Sequence, residues 1–590
     1  MENYLDTLNP PQRAAVEYCD GPSLVIAGAG SGKTRVLTYK IAYLMEHGYQ
    51  PWSILALTFT NKAADEMKDR IAQIVGKDYA KMLLWMGTFH RMFLHILQRE
   101  HEKIGFSSNF TIYDTADSKN LIKDIIKKMK SLKNLDSYKP SLVLSTISNA
   151  KNQLITAEQY VANPANRQRD HYHNMEELGQ IFLRYSNRCR QNNAMDFDDI
   201  LLYTYLLFEQ HPDVLEKWAQ RFRYVLVDEY QDTNFAQHRI VWQLTRQHQH
   251  VCVVGDDAQS IYSFRGATID NIFAFQKIYD GAQLFKLEQN YRSTQNIVEA
   301  ANSLIKKNSR QIQKDVFSEN DRGEKLHVIN TQSDVEEAKM VTNTIRAIKR
   351  REGCEYSDFA ILYRTNAQSR VFEDTLRKEA MPYRVYGGLS FYQYKEIKDI
   401  LAYFRLAVNP NDDEAFKRVI NYPTRGIGQA TMSKIQDVAT SNEVSLWMVI
   451  GEPERYGLDV NKGTLGKIAQ FKQLIDAFIE QARTLPANQL GTLIMEQSGI
   501  KADIYQNSTP ENLSRQENVE ELINGIQDFY DMRREEGNEK ILLSDYISEA
   551  SLMSDVDRDE HKISLMTIHS AKWLEFGTVL VVGLQEGLFP

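Results

Sequence analysis

Residues Ser23-Leu24-Val25-Ile26-Ala27-Gly28-Ala29-Gly30-Ser31-Gly32-Lys33-Thr34 decide the fold class of this 590-residue chain. The apolar run at the start predicts a strand, and the apolar residues after Thr34 recur at helical spacing. A strand, a glycine-rich loop and a helix in this order are typical of a phosphate-binding loop. In such a loop, backbone N–H groups and the helix N-terminus surround a polyphosphate. We therefore expect the chain to bind a nucleotide.

The loop predicts individual roles for its residues. Lys33 is expected to reach the β- and γ-phosphates, and Thr34 is expected to ligate Mg²⁺. Ala27 occupies the position at which the usual pattern has glycine. The alternative is a glycine-rich helix start that binds no ligand. The predicted nucleotide-binding residues here are Ala27, Gly28, Ala29, Gly30, Ser31, Gly32, Lys33, Thr34 and Arg35.

The composition excludes several classes of protein. No apolar run is long enough for a membrane-spanning helix, and the start of the sequence has no signal-peptide pattern, so a cytoplasmic location is expected. Four cysteines lie far apart without a CxxC pair, which argues against disulfides and a zinc site. The net charge of −8 argues against a uniformly basic surface but permits a local basic groove.

A second apolar run, Tyr224–Val227, ends in the acidic pair Asp228-Glu229. A buried strand that delivers two carboxylates at its carboxyl end is expected to complete the nucleotide site. Asp228 would hold Mg²⁺ through water, and Glu229 would act as the general base on the attacking water. The alternative is a solvated strand end.

A third apolar run, at residues 250–254, leads into a segment with an amide and two aromatic side chains. Gln259 is a candidate sensor of the γ-phosphate. Tyr262 and Phe264 are candidates for stacking on bases of a single strand. The alternative for these two aromatic residues is packing in the core.

The motifs in this order resemble the superfamily 1 DNA helicases of the UvrD/PcrA/Rep group, over essentially the whole chain. The acidic motif has the form Asp-Glu-Tyr-Gln-Asp, which is distinct from the DEAD form of RNA helicases. The other motifs that carry the resemblance are Leu8–Gln12, Ala56–Ala64, Gly87–His90, Leu287–Thr294, Ala360–Asn366, Tyr422–Gly428 and Thr567–Phe576.

The resemblance implies further site residues. At the nucleotide it implies Gln12 and Tyr291 on the adenine, Arg292 on the γ-phosphate and Glu575 on the ribose. Arg292 would therefore join Lys33, Asp228, Glu229 and Gln259 as a catalytic residue. For DNA it implies contacts from Phe59, Asn61, Thr88, His90, Tyr262, Phe264, Arg265, Arg364, Thr567 and His569, with Gly426 and Gly428 on the duplex.

The chain departs from the family pattern at three points. Phe264 replaces the usual tryptophan, which leaves a smaller stacking face. Trp573 replaces a glycine two residues before Glu575, where an indole is expected to disturb the nucleotide contact. The sequence ends at Pro590, before a motif that in the family supplies a second γ-phosphate arginine.

The expected fold class is α/β, with two parallel-sheet P-loop (RecA-like) motor domains that each carry a mainly helical insertion. The first motor domain is expected at 1–110 and 190–282, around an insertion at 111–189. The second is expected at 283–375 and 556–590, around an accessory insertion at 376–555 that contacts duplex DNA. In the accessory insertion, apolar residues recur along one predicted helix face at Leu465, Ile468, Phe471, Leu474, Ile475 and Phe478.

The expected function is ATP hydrolysis with Mg²⁺, coupled to 3′ to 5′ movement on single-stranded DNA and to unwinding, in DNA repair or replication. The direction comes from the resemblance alone. Expected partners are single-stranded DNA and single/double-strand junctions, and repair proteins are candidate partners. No membrane is expected, and the protein is expected to be a monomer or a weak DNA-induced dimer. One alternative is an ATP-binding, DNA-binding protein whose motor is impaired by Trp573 and the absent motif. Another, a helicase–nuclease subunit, is disfavoured because the sequence has no nuclease-like cluster.

Overall fold

A computed structural model describes residues 4–129, 131–132, 135–386, 391–506, 509–552, 561–572, 574–587 and 589. By its internal contacts the chain forms two units. The first comprises Met1–Gln289, Arg310–Asp315 and Tyr394–Met553, and the second comprises Asn290–Ser309, Val316–Gln393 and Ser554–Pro590.

The strands alternate with helices along much of the chain. In chain order they are β1 (Ser23–Ala27), β2 (Ile54–Thr58), β3 (Met86–Thr88), β4 (Thr111–Tyr113), β5 (Ala194–Asp196), β6 (Tyr224–Val227), β7 (Val251–Gly255), β8 (Gln283–Leu287), β9 (Gln289–Asn290), β10 (Phe317–Ser318), β11 (Phe359–Tyr363), β12 (Tyr383–Val385), β13 (Ile563–Thr567) and β14 (Thr578–Val581).

The helices of the first half are α1 (Pro10–Glu17), α2 (Lys33–Glu46), α3 (Asn61–Val75), α4 (Lys77–Lys81), α5 (Phe89–Arg99), α6 (Thr115–Lys128), α7 (Pro140–Asn152), α8 (Ala157–Ala162), α9 (Pro164–Tyr172), α10 (Leu178–Gln191), α11 (Phe197–Gln210), α12 (Pro212–Arg221), α13 (Phe235–Thr245) and α14 (Asp270–Ile278). Those of the second half are α15 (Gln295–Ile305), α16 (Asp334–Glu352), α17 (Ser369–Lys378), α18 (Lys395–Val408), α19 (Asp413–Val419), α20 (Gln429–Ser441), α21 (Leu446–Gly451), α22 (Lys462–Ala482), α23 (Ala487–Gln497), α24 (Ile500–Ile504), α25 (Pro510–Glu535), α26 (Leu543–Leu552) and α27 (Ile568–Ala571).

The first unit is built on a six-stranded sheet with the order β3-β2-β6-β7-β1-β8. Every pairing in this sheet is parallel. Successive residues of β1 alternate between two hydrophobic cores, because Leu24 and Ile26 pack on one face and Val25 and Ala27 on the other. A strand that is buried on both faces reads as a continuous apolar run, which is why the sequence predicted it.

The insertion at 111–189 is mainly helical, as predicted, and packs around a core of its own that includes Ile122, Tyr160 and Phe182. The parallel pair β4 and β5 joins the two ends of this insertion, with Thr111 opposite Ala194. The chain therefore leaves the motor fold and returns to it at nearly the same place.

The second unit contains a four-stranded parallel sheet with the order β12-β13-β11-β14. β13 follows the helices α18 to α26 in sequence but lies between β12 and β11, which precede those helices. The chain thus resumes the same sheet after the insertion. Two parallel sheets with helical insertions confirm the predicted fold class.

The sheet of the first unit continues past residue 282, the predicted boundary of the first motor domain. Gln283–Leu287 forms β8 and pairs with β1, with Leu24 opposite Leu284. This sheet therefore extends into the segment that we assigned to the second motor domain.

From α18 to α26, the accessory insertion is built of helices joined by loops, whereas β12 (Tyr383–Val385), near the start of the predicted range, belongs to the four-stranded sheet. In α22, the predicted apolar face is confirmed, since Ile468, Phe471, Ile475 and Phe478 are buried. Across the described residues, none of the helices combines the length and the hydropathy that crossing a bilayer demands.

Candidate nucleotide site and nucleic-acid interface

The loop between β1 and α2 has the backbone that phosphate binding requires. Gly30 and Gly32 have φ values of 66° and 83°, in the left-handed region that favours glycine. The Ser31 hydroxyl donates to the Gly28 carbonyl at 2.6 Å and closes the turn. Gly32 is the N-cap of α2. Because glycine has no side chain, no side-chain hydrogen bond from the N-cap covers the first turn of the helix.

Gln12 is held against this loop. Its Nε2 donates to the Ser31 carbonyl at 3.0 Å, and its Oε1 accepts from the Asn9 backbone N–H at 3.2 Å. A Cβ at Gly32 would lie 2.8 Å from the Gln12 Nε2, so the close approach also requires glycine there. The structure thus places Gln12 beside the loop; its contact with adenine stays a prediction.

The acidic pair follows β6 directly. The Asp228 backbone N–H donates to the Leu57 carbonyl at 2.9 Å, and the Glu229 backbone N–H donates to the Asp228 carboxylate at 2.9 Å. Burial, and then the charge of Glu229, raise the pKa of Asp228 to about 7. Glu229 has a φ of 49°, in the left-handed region that non-glycine residues seldom adopt.

A third strand end, after β7, adds an acid that the sequence reasoning did not assign. Asp256 Oδ2 lies 4.0 Å from Lys33 Nζ and accepts a hydrogen bond from Gln259 Nε2 at 2.7 Å. Two predicted catalytic residues, Lys33 and Gln259, therefore meet at one carboxylate. The sequence feature that could have pointed to Asp256 is the pair Asp256-Asp257, which follows directly after the apolar run at residues 250–254.

Gln231 connects the two strand ends. Its Nε2 donates to the Glu229 carboxylate, and its Oε1 accepts from the Asp256 backbone N–H at 2.9 Å. A Cβ on Gly255 would lie 2.8 Å from the Gln231 Oε1, so Gly255 makes room for this amide. Hydrogen bonds thus link Glu229 and Gln259 through Gln231 and Asp256, and Lys33 lies within ion-pair distance of Asp256.

The nucleotide candidates of the second unit are also brought together in part. The Arg292 guanidinium forms an ion pair with the Glu575 carboxylate. Tyr291 is 44% exposed. Trp573, the departure from the family pattern, lies outside the described residues.

Four DNA candidates of the first unit lie at the starts of α3 and α5. Phe59 is half-buried, with its ring centroid 5.4 Å from that of Phe89. Thr88 caps α5 by accepting from the Arg91 backbone N–H at 3.3 Å. Desolvation lowers the pKa of His90 to about 4, so its ring is neutral at pH 7.

Asn61, the fourth of these candidates, contacts the accessory insertion. Its Nδ2 donates to the Leu552 carbonyl at the end of α26, at 3.2 Å. The Asn61 Oδ1 is buried. The accessory insertion thus lies next to this predicted DNA-binding motif within the first unit.

The aromatic loop after Gln259 separates its two candidates. Phe264 is 65% exposed, whereas Tyr262 is only 7% exposed, and their ring centroids lie 6.0 Å apart. Phe264 therefore lies at the surface and Tyr262 in the interior, and the stacking of Phe264 on bases stays a prediction. The side chain of Arg265 lies outside the described part of the chain.

The loop is anchored to the helical insertion by amides. Asn234 pairs with Ala267 across an isolated β-bridge, and its Nδ2 donates to the Asn152 Oδ1 at 2.6 Å. The Asn152 Nδ2 in turn donates to the Asp198 carboxylate at 2.9 Å. These contacts fix the base of the loop that carries Phe264.

Three DNA candidates share one edge of the second sheet. Tyr363 is opposite Thr567 in the pairing of β11 with β13, so Arg364 and Thr567 both lie at carboxyl strand ends. His569 follows in α27, which Thr567 caps by accepting from the Ser570 backbone N–H at 3.2 Å. Their neighbourhood agrees with a common ligand along this edge.

The glycine-rich turn of the accessory insertion is rigidly held. Asn421 Oδ1 accepts from the backbone N–H groups of Arg425 and Ile427, each at 3.0 Å. Gly426 has a φ of 71°, and Gly428 is the N-cap of α20. The Gly428 position leaves the first turn of α20 accessible to a phosphate group.

Comparisons with known proteins decide the family. The model of the UvrD/REP helicase N-terminal domain matches residues 8–280, and that of the UvrD-like helicase C-terminal domain matches residues 285–590. The chain belongs to the UvrD/Rep helicase family. This confirms the predicted resemblance, and the enzyme class that follows from it is an ATP-hydrolysing helicase.

Curated relatives in this helicase family match along the whole chain. An ATP-dependent DNA helicase PcrA of Staphylococcus aureus (strain Mu50) is 42% identical over 599 residues, covering 100% of this chain and 79% of the relative. An ATP-dependent DNA helicase PcrA of Leuconostoc citreum is 40% identical over 597 residues, covering 100% of this chain and 78% of the relative.

Proposed function

We propose that this helicase couples ATP hydrolysis to 3′ to 5′ translocation along single-stranded DNA and so separates duplex strands, in DNA repair or replication. The observation that carries the proposal is the convergence of Lys33, Glu229 and Gln259 around the strand ends of the first unit, linked by Gln231. The names of the PcrA relatives support DNA as the substrate.

The residues present fit ATP and Mg²⁺. The left-handed glycines of the loop and the open N-terminus of α2 suit a polyphosphate. Thr34 and Asp228 offer the hydroxyl and carboxylate oxygens that Mg²⁺ prefers. A divalent cation there would favour the ionised form of Asp228, whose pKa is otherwise about 7.

We assign the catalytic roles as follows. Lys33 binds the β- and γ-phosphates, Glu229 accepts the proton of the attacking water, and Gln259 contacts the γ-phosphate. Arg292 is assigned to the neutralisation of the transferring phosphoryl group, as the resemblance implies. Bound Mg²⁺ supplies further charge neutralisation at the phosphates.

Stacking supplies the grip on single-stranded DNA. The exposed Phe264 and the half-buried Phe59 offer ring faces to bases, and Arg364 and His569 line the edge of the second sheet. Stacking tolerates any base sequence, which suits a translocating enzyme. We further propose that the protein works as a monomer or as a weak dimer formed on DNA.

The test is a pair of assays on one preparation. ATP hydrolysis is measured with and without single-stranded DNA, and unwinding is measured on duplexes with either a 3′ or a 5′ single-stranded tail. We expect DNA to stimulate hydrolysis and only the 3′-tailed duplex to be opened. Unwinding restricted to the 5′-tailed duplex would contradict the direction, and hydrolysis indifferent to DNA would contradict the coupling.

A second candidate function is a nucleotide-dependent DNA-binding protein with a weak motor. The observation that favours it is Trp573, an indole at a family glycine position near Glu575. In the same assays this candidate predicts ATP-sensitive DNA binding with little hydrolysis.

A further inference from the structure

A short segment, Arg310–Asp315, belongs to the first unit although the residues on both sides of it in the chain belong to the second. It is fixed there at several points. The Ile312 backbone N–H donates to the Asp257 carboxylate at 2.8 Å, and the Lys286 ammonium donates to the Gln313 carbonyl at 2.7 Å. The segment is therefore an ordered part of the first unit.

Lys314 brings a buried positive charge to the end of β7. Its Nζ lies 3.1 Å from Asp256 Oδ1 and 2.5 Å from Asp257 Oδ1. Burial alone would lower the pKa of Lys314, but the charges of Asp256 and Asp257 outweigh it and raise the pKa above its ordinary value. The group is therefore a cation that compensates two buried carboxylates.

The position matters because Asp256 also faces the ATP site. Lys33 Nζ lies 4.0 Å from its Oδ2, and Gln259 Nε2 donates to the same oxygen at 2.7 Å. A buried carboxylate without Lys314 would have Lys33 as its nearest cation. It would then compete with the phosphates of ATP for that lysine.

We propose that Lys314 is a positioning residue of the ATP site. It neutralises Asp256 and Asp257, so that Lys33 stays available to the β- and γ-phosphates while Asp256 keeps Gln259 in place. The inference rests on the proposed function, since it takes Lys33 and Gln259 as ATP-site residues.

The test compares charge with hydrogen bonding at one position. Lys314→Gln retains a donor but removes the charge, Lys314→Met removes both, and Lys314→Arg retains the charge. We expect the first two variants to raise the KM for ATP about tenfold, the effect of one charge-assisted contact. Lys314→Arg should stay within about threefold of the wild type. The measurement is steady-state hydrolysis at saturating single-stranded DNA, with direct titration of a fluorescent ATP analogue.

Two further variants separate charge compensation from mere anchoring of the segment. Lys286→Met removes another anchor of the same segment, at the Gln313 carbonyl, and should leave the KM for ATP unchanged. In the Lys314→Gln/Asp256→Asn double variant, the carboxylate that would capture Lys33 is gone. ATP affinity should therefore recover by most of the loss seen with Lys314→Gln alone.

The outcomes distinguish this inference from the proposed function. Normal turnover by Lys33→Ala would remove the ATP site and the inference together. Loss of turnover in Lys33→Ala with a wild-type KM in Lys314→Gln would overturn only the role of Lys314. An equal KM increase in Lys286→Met, or the absence of recovery in the double variant, would show that the segment acts by anchoring alone.

Discussion

Two lysines of helix α2 allow a sharp test of the ATP site. Lys33 stands at the first residue of α2, 4.0 Å from Asp256 and without a closer carboxylate among the described residues. Lys40 lies two turns further on and is fully buried, where its ammonium donates to the Ala15 carbonyl at 2.9 Å and to the Tyr18 carbonyl. The first is placed for a ligand, and the second caps the end of α1.

Lys33→Ala removes a positive charge at the phosphates but little of the folded structure. Two unit charges about 4 Å apart interact with about 4 kcal/mol at an effective dielectric constant of about 20. Loss of such a contact in the transition state should cost on the order of 3 kcal/mol, or about a hundredfold in the rate of hydrolysis. Thermal stability should change little, because Asp256 keeps its ion pair with Lys314 at 3.1 Å.

Lys40→Met should have the opposite profile. It leaves buried carbonyl groups at the end of α1 without their donor, which costs about 1–3 kcal/mol of folding free energy. The midpoint of thermal unfolding, followed by circular dichroism, should fall by about 2–4 °C. Hydrolysis by the folded protein at 20 °C should stay within about threefold of the wild type, because no phosphate contact is lost.

The two variants are assayed side by side for DNA-stimulated hydrolysis and for the unfolding midpoint. Near-normal hydrolysis in Lys33→Ala would refute the assignment of the loop. A Lys33→Ala variant that lost stability as much as Lys40→Met would show that Lys33 is structural.

Three further predictions address the base, the DNA grip and the departure from the family. Glu229→Gln should retain ATP binding and lose turnover, because the amide cannot accept the proton of water; lost binding with residual turnover would make Glu229 structural. Phe59→Ala and Phe264→Ala should each weaken single-stranded DNA binding by roughly 1–3 kcal/mol, with affinity insensitive to base sequence and falling as salt rises, and a strong base preference in titrations would argue against stacking. Trp573→Gly should lower the KM for ATP if the indole disturbs Glu575, and an unchanged KM would mean that the substitution is tolerated.

The local parts of the fold and site could be predicted from the sequence. β1, β6 and β7 are buried on both faces, so each appears in the sequence as an apolar run. The predicted nucleotide-site residues follow directly at the carboxyl ends of these strands. The glycines of the phosphate loop are also informative, because a left-handed backbone at a position favours glycine there whatever the rest of the fold.

The parts that were missed depend on neighbours distant in sequence. Nothing local in Gln283–Leu287 tells which sheet the strand joins, and its exposed positions resemble a linker as much as a strand. The importance of Asp256 likewise became visible only when the fold placed Lys33, Gln259 and Lys314 around its carboxylate. Composition and residue spacing contain no information about contacts between side chains that are distant in sequence.

The ion pair between Arg292 and Glu575 bears on the two roles that the resemblance predicts for these residues. The resemblance gives Arg292 to the γ-phosphate and Glu575 to the ribose, but here each neutralises the other. The side chains are 49% and 63% exposed, and an exposed ion pair is worth only about 0–1 kcal/mol. Breaking it therefore costs little compared with one charge-assisted contact to a phosphate. We therefore expect bound ATP to separate the pair, so that Arg292→Ala and Glu575→Ala should each weaken ATP binding without lowering the midpoint of thermal unfolding.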